Sequence, residues 1–120
     1  MKIIIAGNGK VGASLARQLS AEGHSLTIID ADPKVLETSI EKYDVMTVNG
    51  NCASMHFLKE AGVEDAQLLI AVTDADEVNL LCCMTAHGLN KDLHTLARIR
   101  NPEYIDQIYQ MRDYFALSWQ

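Results

Sequence analysis

Ile3-Ile4-Ile5-Ala6-Gly7-Asn8-Gly9-Lys10-Val11-Gly12 is the stretch that decides the fold of this chain. A run of isoleucines leads into the pattern GxGxxG, and an amphipathic helical pattern follows it. A second apolar run, Leu26-Thr27-Ile28-Ile29-Asp30, then ends in an acid. GxGxxG alone is a weak signal, because glycines cluster in many turns. A strand, the loop, a helix and an acid-terminated strand in this order form a complete dinucleotide-binding fingerprint.

The three loop glycines have separate predicted roles. Gly7 permits the tight turn from strand to helix, Gly9 lets the backbone approach a pyrophosphate, and Gly12 lets the helix pack close to the sheet. The phosphates are expected at the N-terminus of the helix, where free N–H groups and the helix dipole favour an anion. The predicted phosphate site comprises Gly7, Asn8, Gly9, Lys10, Val11 and Gly12.

Asp30 stands close to the spacing of about 20 residues expected for the acid that binds an adenosine ribose. Its carboxylate would repel a 2′-phosphate, and the next residues, Ala31 and Asp32, offer no cation to accept one. The sequence therefore favours NAD(H), ATP or ADP over NADP(H). The alternative is that the glycines only shape a turn and Asp30 only ends a strand.

Length and charge restrict the class of protein. The 120 residues carry 16 acidic and 10 basic side chains, which gives a formal net charge of −6 and a pI near 5.0. This length suits one domain, without a separate substrate domain, and the acidic balance argues against a nucleic-acid partner. We expect a soluble cytoplasmic chain, since long apolar runs and a signal-peptide pattern are absent. The three cysteines contain no CxxC, so a disulfide framework is not expected.

Apolar runs alternate with helical patterns along the whole chain. They predict six strands, at about residues 2–6, 25–30, 45–48, 67–72, 94–99 and 115–119, with five helices between them. The second helix is expected to begin at Asp32-Pro33. The fourth is expected to have Asp74 as its N-cap, with Glu77 completing a capping box, and to end at Gly88. The predicted fold is a single Rossmann-like domain, a doubly wound parallel six-stranded α/β sheet of order 3-2-1-4-5-6.

A ligand is expected where this strand order reverses, at the carboxyl ends of the strands. The segments that converge there are 8–11, 30–32, 49–53, 73–76 and 98–101. Arg98 and Arg100 alternate on the predicted fifth strand, so they point to opposite faces. A bound phosphate, an acid such as Asp74 or Asp76, an intersubunit ion pair or plain exposure would each satisfy them.

The fourth helix is apolar around nearly its whole circumference, whereas a helix with one face in water shows a polar stripe. It therefore needs a second partner, either an additional segment or another subunit. We favour self-association through Leu80, Cys83 and Met84 together with Ile105 and Tyr109 of the fifth helix. Neither a catalytic set nor a metal site is predicted, because Cys83 and His87 lack a second pair at ligand spacing.

Two further blocks extend the glycine loop into a family pattern. The first is V-T-D-x-D-E-x-N at 72–79 and the second is A-R-x-R-N-P-E-Y at 97–104. Together with the loop, Asp30 and the stretch 48–54, they resemble the N-terminal nucleotide-binding domain of Trk/Ktr potassium-uptake regulators, the KTN, RCK or TrkA-N domains. The resemblance covers essentially the whole chain, and these two blocks are far more specific than the glycines.

The resemblance implies a cytoplasmic regulatory domain and not an enzyme. Such domains bind NAD(H) or ATP/ADP, dimerise, usually assemble into rings, and dock at the inner face of the membrane on a potassium channel or transporter to gate it. The resemblance implies that Gly7, Gly9 and Gly12 hold the phosphates, that Asp30 holds the ribose, and that Asn51, Cys52 and Ala53 contact the adenine edge. Thr73 and Asp74 would face the distal half of the ligand, and Ala31 is a further predicted binding residue. Lys10, Arg98 or Arg100 would sense the phosphates.

Asn51 departs from the family, which commonly has Asp there, and this leaves open the hydrogen-bond polarity at the adenine. Full-length relatives continue beyond the sixth strand, so we expect a fragment or the first lobe of a longer chain. Two alternatives remain at this stage. One is the cofactor half of an NAD-dependent dehydrogenase, against which the V-T-D-x-D-E-x-N block and the missing acid/base pair argue. The other is a dinucleotide domain fused to an unrelated transporter or antiporter.

Overall fold

Strands and helices alternate along residues 1–42 and 44–115, the part of the chain that the computed structural model describes. The strands are β1 (Lys2–Ala6), β2 (Ser25–Asp30), β3 (Met46–Asn49), β4 (Leu68–Ala71) and β5 (His94–Ala97). The α-helices are α1 (Lys10–Ala21), α2 (Pro33–Lys42), α3 (Met55–Glu60), α4 (Asp76–Leu89) and α5 (Pro102–Phe115), and a 3₁₀ turn covers Val63–Asp65.

The sheet has the order β3-β2-β1-β4-β5 and all its pairings are parallel. The central residue Ala6, at the end of β1, pairs with Ile29 of β2 on one side and with Ala71 of β4 on the other. The predicted Rossmann-like architecture and the order of its first five strands are therefore confirmed. The sixth strand was predicted at about residues 115–119. Phe115 is instead the last residue of α5, and residues 116–119 lie outside the described residues.

The isoleucines of β1 explain why this strand lies at the centre. Ile4 is fully buried and packs in a cluster with residues of α3 and α4. Ile3 and Ile5 pack on the other face, in a cluster with residues of α1 and α2. Since burial of one such side chain contributes about 1.5–3 kcal/mol, a strand buried on both faces fixes the sheet and thereby the loops at its carboxyl edge.

Three details of the predicted elements are wrong. The N-cap of α4 is Ala75, without a side-chain cap bond, so Asp74 and Glu77 do not form a capping box. The same helix continues through Gly88 to Leu89. Strand β5 already ends at Ala97, so Arg98 and Arg100 follow the strand instead of alternating on its faces. By contrast, α2 begins at Pro33 as predicted, with Asp32 Oδ1 accepting a hydrogen bond from the Lys34 N–H at 3.0 Å.

Candidate nucleotide-binding site

A cleft of about 480 Å³ opens at the carboxyl ends of β1, β2 and β4, where the strand order reverses. Nine of the residues predicted to bind a ligand line it: Gly7, Asn8, Gly9, Asp30, Ala31, Asn51, Cys52, Thr73 and Asp74. The lining also includes residues that the sequence interpretation did not single out as binding residues: Ile29, Asp32, Val35, Gly50, Val72 and Val78. The apolar ones lie near the end of β2, just after β4 and in the first turns of α2 and α4, where their spacing marks them as packing residues rather than as ligand contacts.

Gly7 and Gly12 are required by packing within the protein. Gly7 has φ +103°, and a Cβ there would lie 3.0 Å from the backbone nitrogen of Thr73. A Cβ on Gly12 would collide with the Gly7 carbonyl oxygen, because α1 crosses directly over the loop. Gly9 differs from both, since a Cβ built on it meets no atom within 4 Å and its φ is −71°. Neither strain nor crowding within this chain explains the glycine at position 9.

The N-terminus of α1 is suited to an anion. Gly9 is the N-cap residue, it makes no side-chain cap bond, and the first turn of the helix holds no acidic residue. Helix N-termini carry a partial positive charge from their aligned N–H groups. Lys10 and Val11 lie in this first turn and are exposed, although they do not line the cleft itself. The lysine adds a full positive charge beside the helix end.

Asp30 is held in one orientation by two backbone donors. Its Oδ2 accepts a hydrogen bond from the Asn8 N–H at 2.8 Å, and its Oδ1 accepts one from the Asp32 N–H at 2.8 Å. Asn8 in turn donates from Nδ2 to the Val35 carbonyl oxygen of α2 at 3.1 Å. The glycine loop, the end of β2 and α2 are thus tied together around one carboxylate. Each carboxylate oxygen keeps a second lone pair that can accept from a ligand hydroxyl.

One end of the cleft is formed by the turn after β3, next to the end of β2. Asn51 Oδ1 accepts from the Ala53 N–H at 2.9 Å, and the Ser54 N–H donates to the Asn51 carbonyl oxygen at 3.0 Å. The turn is joined to β2 because the Gly50 N–H donates to the Asp30 carbonyl oxygen at 3.0 Å. Ala53 follows the lining residue Cys52 without lining the cleft itself.

Cys52 is a buried thiol at this end of the cleft. A hydrogen bond from the Cys82 side chain lowers the pKa of Cys52, although burial works in the opposite direction. The same hydrogen bond and burial raise the pKa of Cys82, and burial raises the pKa of Cys83 to about 12. Of the three cysteines, Cys52 therefore carries the most acidic thiol.

Thr73 and Asp74 form the cleft wall that follows β4, and the buried side chain of Asn79 holds this wall. Asn79 Oδ1 accepts from the Thr73 N–H at 2.9 Å and from the Thr73 hydroxyl at 2.6 Å. The sequence interpretation gave Asn79 no role. The sequence feature that could have identified Asn79 is its amide side chain, which interrupts the otherwise apolar stretch from Val78 to Met84.

The two arginines do not line this cleft. Arg100 lines a neighbouring cleft of about 510 Å³, and its Nη2 donates to the Asp74 carbonyl oxygen at 2.6 Å. The carbonyl oxygen of Arg98 accepts from Asn79 Nδ2 at 2.8 Å. The sequence analysis offered the carboxylate of Asp74 as one partner for Arg100. The guanidinium instead contacts the backbone carbonyl oxygen of the same residue.

The predicted self-association surface is only partly exposed. Cys83 is wrong as a member, because its side chain is 1% exposed and its thiol donates to the Leu96 carbonyl oxygen at 3.6 Å. Met84 and Ile105 are exposed by 37% and 40%, and Leu80 is half-buried. Leu81, which the prediction left out of this surface, is 53% exposed and is the most exposed apolar residue of α4.

Neither a membrane-spanning helix nor a metal-binding cluster occurs in the described part of the chain. Within residues 1–42 and 44–115, no helix is both long and apolar enough to cross a membrane. The same residues contain no group of three or more His, Cys, Asp or Glu side chains arranged to hold a metal ion.

The parallel sheet, the glycine loop at its reversal point and the acid that ends β2 define a domain of the Rossmann-like nucleotide-binding class. The chain belongs to the TrkA-N domain family, whose pattern matches residues 3–114. This family is a nucleotide-binding one, and its recognition from the two sequence blocks is confirmed.

Relatives and solved structures agree with this assignment. The chain is 44% identical over 105 residues to the Trk system potassium uptake protein TrkA of Vibrio alginolyticus, and it spans 23% of that relative's length. The Kef CTD of Shewanella denitrificans, solved in its AMP-bound form, is 30% identical with a TM-score of 0.78, over 100% of this chain and 70% of that one. The GsuK channel, solved with NAD bound, is 21% identical with a TM-score of 0.79, over 91% of this chain and 20% of that one, and shares the fold.

Proposed function

We propose that this chain is the nucleotide-sensing domain of a regulator of a membrane potassium transporter or channel. The observation that carries the proposal is the arrangement around Gly9. The N-terminus of α1 lacks a side-chain cap, Gly9 leaves open space beside it, and the fixed carboxylate of Asp30 lies at the same cleft. A phosphate-linked nucleoside uses all three features at once.

The proposed ligand is NAD(H) or an adenine nucleotide. Its phosphates contact the loop from Gly7 to Gly12, with Lys10 nearby, and its ribose hydroxyls donate to Asp30 beside Ala31. The solved relative with 30% identity is in an AMP-bound form, which supports an adenine nucleotide as the ligand. The carboxylates of Asp30 and Asp32 both line the cleft and would repel the 2′-phosphate of NADP(H).

The adenine is proposed to lie against Asn51, Cys52 and Ala53, and the distal half of the ligand against Thr73 and Asp74. Asn51 Oδ1 is already engaged by the Ala53 N–H. The Nδ2 group of Asn51 is therefore the donor that a ring nitrogen of adenine would accept from. An aspartate at this position would instead offer a second acceptor oxygen to the adenine amino group.

A regulatory role is favoured over catalysis by the kind of groups in the cleft. Its titratable lining consists of three aspartates and one thiol. Binding through a helix N-terminus and a ribose acid needs none of them as a proton donor. The relatives named for potassium uptake support a role in potassium transport. We further propose that the domain acts at the cytoplasmic face of the membrane, in self-associated form and without a nucleic-acid partner. A cofactor-binding half of a dehydrogenase lacks comparable support.

Titration calorimetry with NADH on Asp30→Ala tests the proposal. Loss of the charge-assisted ribose contacts is expected to weaken binding by about 10- to 150-fold. Asp92→Ala is the matched control, since Asp92 is an exposed carboxylate that lies between α4 and β5 and does not line the cleft. Equal affinity of Asp30→Ala and the parent chain, or a preference for NADPH, would contradict the assigned ribose site.

A further inference from the structure

One buried amide joins the cleft wall to the segment that follows β5. Asn79 is 0% exposed and lies in the first turn of α4. Its Oδ1 accepts the two hydrogen bonds from Thr73, while its Nδ2 donates to the carbonyl oxygens of Thr73 at 3.1 Å and of Arg98 at 2.8 Å. Both ends of the amide are thus used, and they bind two segments that are distant in sequence.

Further hydrogen bonds connect the same two segments. The carboxylate of Asp76 accepts from the backbone N–H groups of Arg100 at 3.0 Å and of Asn101 at 2.9 Å. Arg100 Nη2 donates to the Asp74 carbonyl oxygen. The hydroxyl of Tyr104, in the first turn of α5, donates to Glu77 Oε2 at 2.8 Å. We call residues 73–79 and 98–104, joined in this way, the bracket.

The bracket places the start of α5 relative to the cleft. Asn101 Oδ1 accepts from the Glu103 N–H at 3.0 Å, so the residue bound by Asp76 also caps α5. A buried amide left without partners is costly, which opposes any movement of one segment without the other. Farther along α5, Ile105 is 40% exposed and Tyr109 67% exposed. The hydrogen bonds of the bracket therefore fix the beginning of this helix to the rest of the domain.

We propose that Asn79 is a positioning residue that makes the cleft wall and the start of α5 move as one unit. A ligand that contacts Thr73 and Asp74 would then shift or order α5 and its exposed apolar side chains. The ligand part of this inference rests on the proposed function, whereas the bracket rests on the hydrogen bonds alone. By linkage, the ligand acts only through a difference in its contacts with the wall between two arrangements.

Hydrogen exchange followed by mass spectrometry tests the bracket without any ligand. Asn79→Ala is expected to speed exchange by about tenfold or more in both 73–79 and 98–104. Asn90→Ala is the matched control, because Asn90 Nδ2 donates to the carbonyl oxygens of Val63 and Ala66, near the amino end of β4. It should speed exchange in 63–66 and leave the bracket unchanged. Faster exchange in 73–79 alone for Asn79→Ala would overturn the bracket.

The same measurement with NADH as the probe tests transmission to α5. NADH is expected to slow exchange in 7–12, 30–32 and 98–108 of the parent chain and of Asn90→Ala. At equal saturation, Asn79→Ala should keep the protection of 7–12 and 30–32 and lose at least half of that in 98–108. A purely structural role of Asn79 would lower stability without separating these two regions. Unchanged protection of 98–108 in Asn79→Ala would overturn the transmission.

Tyr104→Phe serves as a second variant, since it removes one exposed hydrogen bond and should fold even where Asn79→Ala does not. It is expected to leave the Kd for NADH unchanged and to reduce the protection of 98–108. If Tyr104→Phe keeps full protection of 98–108 and exchanges at the parent rate in both 73–79 and 98–104, the result would count against the bracket. If the parent chain binds neither NADH nor ADP, the proposed function and the transmission are both wrong, and the ligand-free comparison alone decides the bracket.

Discussion

The three glycines of the glycine loop have different structural roles, although the GxGxxG motif does not distinguish them. The backbone of Gly7 and the helix crossing at Gly12 require glycine for reasons internal to the fold. Gly9 meets neither requirement, and we propose that its glycine serves a ligand that comes close to the backbone. The sequence predicted all three roles from spacing, and the structure explains Gly7 and Gly12 by backbone conformation and packing, whereas the binding role of Gly9 stays a prediction.

This difference predicts opposite outcomes for two alanine substitutions. Gly12→Ala should prevent stable folding, because the new methyl group meets the Gly7 carbonyl oxygen. Gly9→Ala should change the free energy of unfolding by less than about 1 kcal/mol and weaken NADH binding by about tenfold or more. Thermal unfolding and calorimetry measure the two effects. Gly88→Ala is the control, since Gly88 lies within α4 and a Cβ added to it meets no atom within 4 Å. This substitution should raise the free energy of unfolding by up to about 1 kcal/mol.

The cysteines give a second prediction at this scale. Because the pKa of Cys52 is lowered and the thiolate is the reactive form, iodoacetamide should modify Cys52 before Cys82 and Cys83. The midpoint of the modification rate against pH should fall below that of an unperturbed cysteine. Bound NADH should slow the reaction, since Cys52 lines the cleft. Peptide mapping measures it, and earlier modification of Cys83 would contradict the assignment.

At the scale of elements, local signals predicted correctly where local contacts decide. The isoleucine run of β1 and the Asp32-Pro33 start of α2 depend on neighbours in sequence, and both were predicted. The start of α4 was not. The spacing of Asp74 and Glu77 fits a capping box, but their bonds run to Arg100 and Tyr104, which are distant in sequence. The role of Asn79 was missed for the same reason, because its partner Arg98 lies in the distant segment that follows β5.

Asp76 in the bracket is expected to make the free energy of unfolding depend on pH. Hydrogen bonds from the backbone N–H groups of Arg100 and Asn101 hold the pKa of Asp76 below its ordinary value of about 3.9. A lowered folded-state pKa stabilises above the unfolded value, and the stabilisation is lost as the pH falls through the folded value. Urea unfolding should therefore show Asp76→Asn less stable than the parent chain at pH 7, with the gap closing below about pH 4. A gap that does not change with pH would contradict this.

At the scale of the whole molecule, the fold accounts for the cleft but leaves apolar side chains uncovered. The sequence predicted a partner for α4 from its apolar circumference. It could not tell which residues the sheet covers, and Cys83 proved to be buried against β5. The uncovered side chains include Leu81 and Met84 of α4 and Ile105 of α5, which begins at the bracket. Self-association through them would bring a second subunit close to the elements that a ligand is proposed to move.

Leu81→Asp tests this surface without disturbing the core. Leu81 is 53% exposed, so the monomer should tolerate the charge, whereas an apolar interface would have to bury it unpaired. We expect light scattering to show self-association of the parent chain and a monomer for Leu81→Asp, with the affinity for NADH reduced no more than threefold. Met46→Asp is the matched control, since Met46 is 72% exposed on the edge strand β3 and belongs to no proposed surface. A monomeric parent chain, or an oligomer that tolerates the charge at position 81, would show that these side chains do not form the interface.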